Sequence, residues 1–338
     1  MKLLAPANLK ELPDRARWFK KPAARRLAQK FGVDYGFELK EPLEDLKEAP
    51  SLSSACYWGV HLPNSFATEW YYHPEIRERL LSQLLPISKL KPHYAVFHGI
   101  HLLWQPPERK YVQRYENISS PEEHLKVIKD NVELLKRLKE IFPTLKIENF
   151  PLCNHYMEGE DYLPYTYLYT GAGRFLDLLY FKQKSKVNIL LDLEHLLITI
   201  NFLNRRQNYA KIPVKKVQKL SEQEKKLYQI YGFYIQKGLI PYAEPINLAK
   251  VLKKFQARFY HLSGSTQEIK NGKISSHGPI KKDDPVFRKH LRMILKQKPE
   301  VLVLETASSG YLKAWGYLRP NETEISFENL CEILLEEL

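Results

Sequence analysis

Residues 188–195 read NILLDLEH and residues 301–306 read VLVLET. Each is a short, almost continuous apolar run that ends in ionisable side chains. Strands covered on both faces have this composition, because neither face meets water. An ionisable group at the end of such a strand is costly to bury unless it is paired or bound to a metal. The two stretches therefore read as parallel strands whose ends carry chemistry.

Working outward, the same unit recurs: a short apolar strand, then an amphipathic helix. Eight strands are expected, at Lys2–Asn8, Tyr35–Leu39, Cys56–Leu62, Tyr94–His98, Leu145–Asn149, Asn188–Asp192, Arg258–Leu262 and Val301–Glu305. Alternation of strand and helix from end to end predicts a parallel sheet with crossover helices, and eight strands fit a closed (β/α)8 TIM barrel. Helix starts are marked locally. Ser120-Pro121-Glu122-Glu123 and Ser221-Glu222-Gln223-Glu224 carry capping signatures, and Asp283 or Asp284 with Pro285 opens the helix before the last strand.

Two connections exceed what one crossover needs. Asn201–Glu244, between strands six and seven, is expected to be an insertion forming a lid or an extra helical pair. Cys153–Phe175, rich in tyrosine, is expected to be a long loop after the fifth strand. No internal repeat, low-complexity tract or Gly/Ser linker divides the chain, so residues 1–338 are expected to form one domain.

Composition sets the outer bounds. At 338 residues, 44% hydrophobic and 27% charged, the chain has material for a substantial core. No apolar run reaches the about 18 residues that cross a bilayer, and the N-terminus lacks a signal-peptide pattern. Three widely spaced cysteines, Cys56, Cys153 and Cys331, provide neither a disulfide framework nor a metal knuckle, which makes a cytoplasmic location the default expectation. The net charge of +13 has two readings of equal weight. One is a phosphate-containing substrate, nucleic acid or sugar phosphate; the other is Lys-rich helix faces spread along the chain.

Polar, metal-competent residues stand at the ends of six of the eight strands. His61 ends the third; His98 ends the fourth, with His101 beyond it. Glu148 lies on the fifth, Asp192 and His195 on the sixth. His261 ends the seventh, with His277 in its loop, and Glu305 ends the eighth. Any one of them alone is ordinarily a hydrogen-bonded loop residue or a solvated edge. Their repetition around one barrel mouth predicts a divalent-metal site, and mixed His and carboxylate donors suit zinc, manganese or iron(II). Glu38 on the second strand, Trp70 in the loop beyond His61, and His101 are candidate substrate-binding residues, although core or loop packing is the more ordinary explanation for Glu38 and Trp70.

This arrangement resembles the xylose isomerase-like superfamily, in particular the AP endonuclease family 2 group that contains endonuclease IV. The resemblance runs from Leu3 to about Thr306 and implies metal ligands at His61, His98, Glu148, Asp192, His195, His261, His277 and Glu305. In that group such a set holds three zinc ions. Here Ser275 stands where the family's Asp-x-His pair has its Asp, which weakens one metal position and favours two ions over three. Three chemistries stay open. Multinuclear phosphodiester hydrolysis is slightly preferred, because a one-metal site has no evident use for His61, His98 and His277. A sugar (phosphate) isomerase or epimerase would use Glu148, Asp192, His261 and Glu305 around one metal, with Glu148 and Glu305 exchanging protons with carbon. The HLSG and SSHGPI stretches also resemble multinuclear iron oxidases that modify peptides, although those usually carry Asn where His195 stands.

Overall fold

In a computed structural model of the chain, residues 1–40, 56–100, 103–104, 117–118, 121–152, 168–169, 175–210, 247–264, 278–306 and 322–338 are described. The strands are β1 (Lys2–Ala7), β2 (Asp34–Leu39), β3 (Tyr57–His61), β4 (Tyr94–Phe97), β5 (Leu103–Trp104), β6 (Asn117–Ile118), β7 (Lys146–Glu148), β8 (Leu168–Tyr169), β9 (Asn188–Asp192), β10 (Phe259–Leu262) and β11 (Val301–Leu304). Eight of them close into a barrel of order β1-β11-β10-β9-β7-β4-β3-β2, with every neighbouring pair parallel. These are the eight expected strands, each ending within a residue or two of its expected bounds.

The near-continuous apolar runs follow from this closure. In β9 and β11, Ile189, Leu191, Leu302 and Leu304 face the layer under the helices, while Leu190, Val301 and Val303 fill the lumen with Leu4, Tyr94, Val96 and Phe259. Both faces of each strand are dry, and each such side chain contributes about 1.5–3 kcal/mol on burial.

Ten α-helices lie among the described residues: α1 (Leu12–Trp18), α2 (Pro22–Phe31), α3 (Asn64–Tyr72), α4 (Arg77–Lys89), α5 (Pro121–Ile141), α6 (Phe175–Ser185), α7 (Leu193–Ala210), α8 (Leu248–Phe255), α9 (Pro285–Leu295) and α10 (Glu322–Glu337). The α9 start is capped as expected: Asp284 accepts from Val286 N at 2.9 Å and Phe287 N at 3.0 Å, ahead of Pro285. The final helix α10 packs against α2, next to the first strands. None of the described helices is long and apolar enough to cross a membrane.

At the long connections, α7 runs on through residues 201–210 of the expected insertion, and residues 211–246 lie outside the described residues. A small second sheet of order β6-β5-β8 was not expected from sequence. Its antiparallel β5–β8 pair ties the connection after β4 to the connection after β7.

Candidate functional site

Strand alternation builds the site. Along each strand every second side chain points into the lumen, so the inward columns continue from Val96 to His98, Leu190 to Asp192, Phe259 to His261 and Val303 to Glu305. Parallel register then brings the ends level, with His261 beside Asp192 on one flank and Val303 on the other. Glu38, Glu148, Asp192 and His261 are fully buried, and His98, His195 and Glu305 nearly so.

Glu148 sits at the centre. Its Oε2 lies 3.2 Å from His61 Nε2, and its Oε1 lies 3.2 Å from both His98 Nε2 and His261 Nδ1. His261 Nδ1 is also 2.6 Å from Glu305 Oε2, and its Nε2 is 3.0 Å from Glu38 Oε2. Two donor groups result, each with ligand atoms within 4.8 Å of one another: His61, His98 and Glu148; and Glu148, Asp192, His261 and Glu305. Glu148 belongs to both.

The surrounding residues set orientation. Asn149 clips β7 to the end of β9: its Oδ1 accepts from Asp192 N at 2.7 Å, and its Nδ2 donates to Asp192 O at 3.2 Å. The Asn149 carbonyl accepts from His195 Nδ1 at 2.9 Å, and Asp192 Oδ1 accepts from His195 N at 2.6 Å. On the other side, Asn131 of α5 holds both backbone groups of Ile100, just beyond His98. Gly99 between them has φ 79°, and a Cβ there would lie 2.5 Å from Asn131 Oδ1, so only glycine fits that step.

Electrostatics divide the acids. Burial raises the cost of charge on Glu148, but the nearby His261 and His98, with a hydrogen bond from His261, hold it well below the usual carboxylate range. Glu305 is held low against burial by His261 and Lys40. Asp192 goes the other way: burial and the nearby charges of Glu305, Glu148 and Glu194 push it well above its ordinary value. For His261, burial opposes the charge, yet Glu148, Glu305 and Glu38 hold the imidazole well above its usual range. His98 is shifted down by burial, despite Glu148.

The donor set fits divalent cations. His61 Nδ1 meets the Leu62 carbonyl at 3.1 Å, a partner that can only accept, so Nδ1 carries the proton. Its Nε2 lone pair then faces Glu148 Oε2, an arrangement that calls for a proton or a cation between them. Asp192 Oδ2 is buried with no hydrogen-bond partner among the described residues. Four buried carboxylates share this lumen, and a cation would relieve their mutual repulsion.

Of the residues singled out from sequence, the lumen brings together Glu38, His61, His98, Glu148, Asp192, His195, His261 and Glu305. His101 and His277 lie outside the described residues, as does Ser275. Trp70 is elsewhere: the segment expected as a loop is helix α3, where Trp70 is 1% exposed within the outer core and carries the Arg77 guanidinium over its ring. Glu38 is enclosed beneath His261 rather than open at the mouth. Sequence reasoning missed Lys40, whose ammonium contacts Glu305 and lies 3.9 Å from Glu38 Oε1. The signal was available, since Lys40 is two residues past Glu38 on the same inward column. Asn131 and Asn149 left no such signal.

No family model and no curated protein matches the chain. Solved structures do. An L-ribulose 3-epimerase is 10% identical with a TM-score of 0.52, covering 99% of this chain and 93% of that one. The 3-keto-D-glucoside 4-epimerase of E. coli is 12% identical with a TM-score of 0.50, covering 98% of each. Endonuclease IV from Thermus thermophilus is 14% identical with a TM-score of 0.45, covering 100% of this chain and 99% of that one. At these identities the likeness shows the fold alone, a closed (β/α)8 barrel.

Proposed function

We propose that this chain is a divalent-metal-dependent hydrolase of phosphate diesters, with two metal positions that share Glu148. The observation that carries the proposal is the double membership of Glu148: its Oε2 faces His61, and its Oε1 lies between His98 of one donor group and His261 of the other. His61, His98 and Glu148 would hold one ion, and Glu148, Asp192, His261 and Glu305 the other, with zinc the first candidate and manganese or iron the next. Bound there, the pair would supply a water nucleophile at neutral pH and stabilise the leaving oxygen.

The chain's own residues support that task. Asn149 fixes Asp192 through two backbone hydrogen bonds and fixes the His195 ring through its carbonyl. Lys40, partly exposed beside Glu305, offers the mouth a positive charge suited to an anionic substrate. A net charge of +13 adds a long-range attraction for phosphate.

A second reading has its own support. Glu148, Asp192, His261 and Glu305 form a complete four-donor shell by themselves, as a single-metal sugar isomerase or epimerase would use. Metal stoichiometry separates the two. The protein is purified without affinity tag or chelator, its metals per chain are counted by elemental mass spectrometry, and it is assayed on bis(p-nitrophenyl) phosphate, abasic-site DNA and a panel of ketoses. Two or more equivalents with phosphodiester turnover are expected. One equivalent with ketose turnover overturns the hydrolase in favour of the isomerase. Iron as the dominant metal, with no hydrolysis, would turn attention to oxidative chemistry on peptides.

A further inference from the structure

The His261 ring is held from both edges. Its Nδ1 faces Glu148 Oε1 at 3.2 Å and Glu305 Oε2 at 2.6 Å, while its Nε2 faces Glu38 Oε2 at 3.0 Å. That same Glu38 oxygen accepts from the Tyr94 hydroxyl at 2.7 Å. A carboxylate can only accept, so the phenol donates, and Glu38 Oε2 is pinned between two donors.

The path from Tyr94 to Glu38 crosses a strand. Glu38 is level with Gly59 in the β2–β3 pair, and Gly59 is level with Tyr94 in the β3–β4 pair. Tyr94 therefore reaches Glu38 across the inward position of β3. A Cβ at Gly59 would lie 2.3–2.8 Å from three carbons of the Tyr94 ring. Only glycine leaves that crossing open.

We infer that Glu38 is a positioning residue: it accepts the Nε2 proton of His261 and so directs the Nδ1 lone pair toward the metal position formed with Glu148, Asp192 and Glu305. The inference rests on the metal-centre reading above. Glu38 is fully buried, and its engaged oxygen lies behind His261, so contact with substrate is not its role. A carboxylate behind a ligating histidine fixes the ring tautomer and raises the basicity of the donor nitrogen. Loss of such a partner typically weakens metal binding by about 10–100-fold. The influence is local to one position, because the other donor group contains no atom of His261.

The test uses full-length protein, metal-free and zinc-loaded. Zinc affinities are measured by competition with a chromophoric chelator, and the His261 ring nitrogens are read by 15N chemical shift. In zinc-loaded wild type, Nε2 is expected to be protonated and Nδ1 metal-bound. Glu38→Gln is expected to weaken one zinc equivalent by about 10–100-fold and spare the other. Tyr94→Phe, which removes one of the two donors, should shift the same equivalent in the same direction by less. A purely structural role for Glu38 would lower the melting temperature and leave the zinc affinity of the folded protein unchanged, which overturns the inference. So does zinc on Nε2 with the proton on Nδ1 in wild type, a result independent of how well any variant folds. Wild type that binds no zinc, manganese or iron overturns the functional reading, and the inference with it.

Discussion

Replacing Asn131 with alanine tests whether the His98 loop is held in place from outside the barrel. Asn131 is fully buried on α5; its Oδ1 accepts from Ile100 N at 2.6 Å, and its Nδ2 donates to Ile100 O at 2.9 Å and Val127 O at 3.1 Å. The Val127 carbonyl keeps its helical partner when the side chain is cut back, so its loss counts for little. The two Ile100 backbone groups are left stranded in a dry site, at about 1–3 kcal/mol each. Partial relief by water places the expected cost at about 2–4 kcal/mol. For a chain of 338 residues the unfolding entropy is about 0.7 kcal/mol per kelvin, so the midpoint should fall by about 3–6 °C. Thermal denaturation of the metal-free protein, followed by circular dichroism, reads this directly. Because Ile100 is two residues past His98, zinc at the His61, His98 and Glu148 position should also weaken, while the four-donor position keeps its affinity. A variant that melts with wild type and binds both equivalents normally would show that the clamp contributes nothing.

Two further outcomes test the shared carboxylate and the charge balance of the lumen. Glu148→Gln is expected to loosen both zinc equivalents, because its two oxygens serve both donor groups; loss of a single equivalent by elemental analysis would refute the sharing. Zinc affinity is expected to rise from about pH 6 to about pH 8, since a cation must displace protons from its ligands. The sign follows from the two groups whose proton affinity is raised. His261 holds its proton well above the usual imidazole range, under the combined pull of Glu148, Glu305 and Glu38, and buried Asp192 is pushed up beside Glu305 and Glu148. A chelator-competition titration that is flat across that interval would remove this argument.

The barrel and the ligand ends were legible in the chain for one physical reason. A strand that is dry on both faces must be apolar throughout, so a charged residue at its end stands out, as Asp192 does after NILL and Glu305 after VLVL. What the chain withheld are relations between strands and between a strand and a distant helix. Nothing local tells that Tyr94 opposes Gly59, or that Gly59 opposes Glu38, since these pairings depend on the stagger of a closed barrel. Hence the sequence offers Glu38 as a candidate substrate contact, whereas the register buries it beneath His261. Asn131 lies 31 residues from the backbone it holds, and in sequence it is only a polar residue in an amphipathic helix. Trp70 misled for the opposite reason: an aromatic residue past a ligand histidine is equally compatible with a loop and with a buried helix face, and packing in the outer core chose the helix. Ligand identity is thus written in short stretches, whereas the ligands' orientation depends on residues that only the closed barrel brings together. The Glu38 and Asn131 variants are the sharper tests for that reason: they leave every ligand in place and perturb only what aims it.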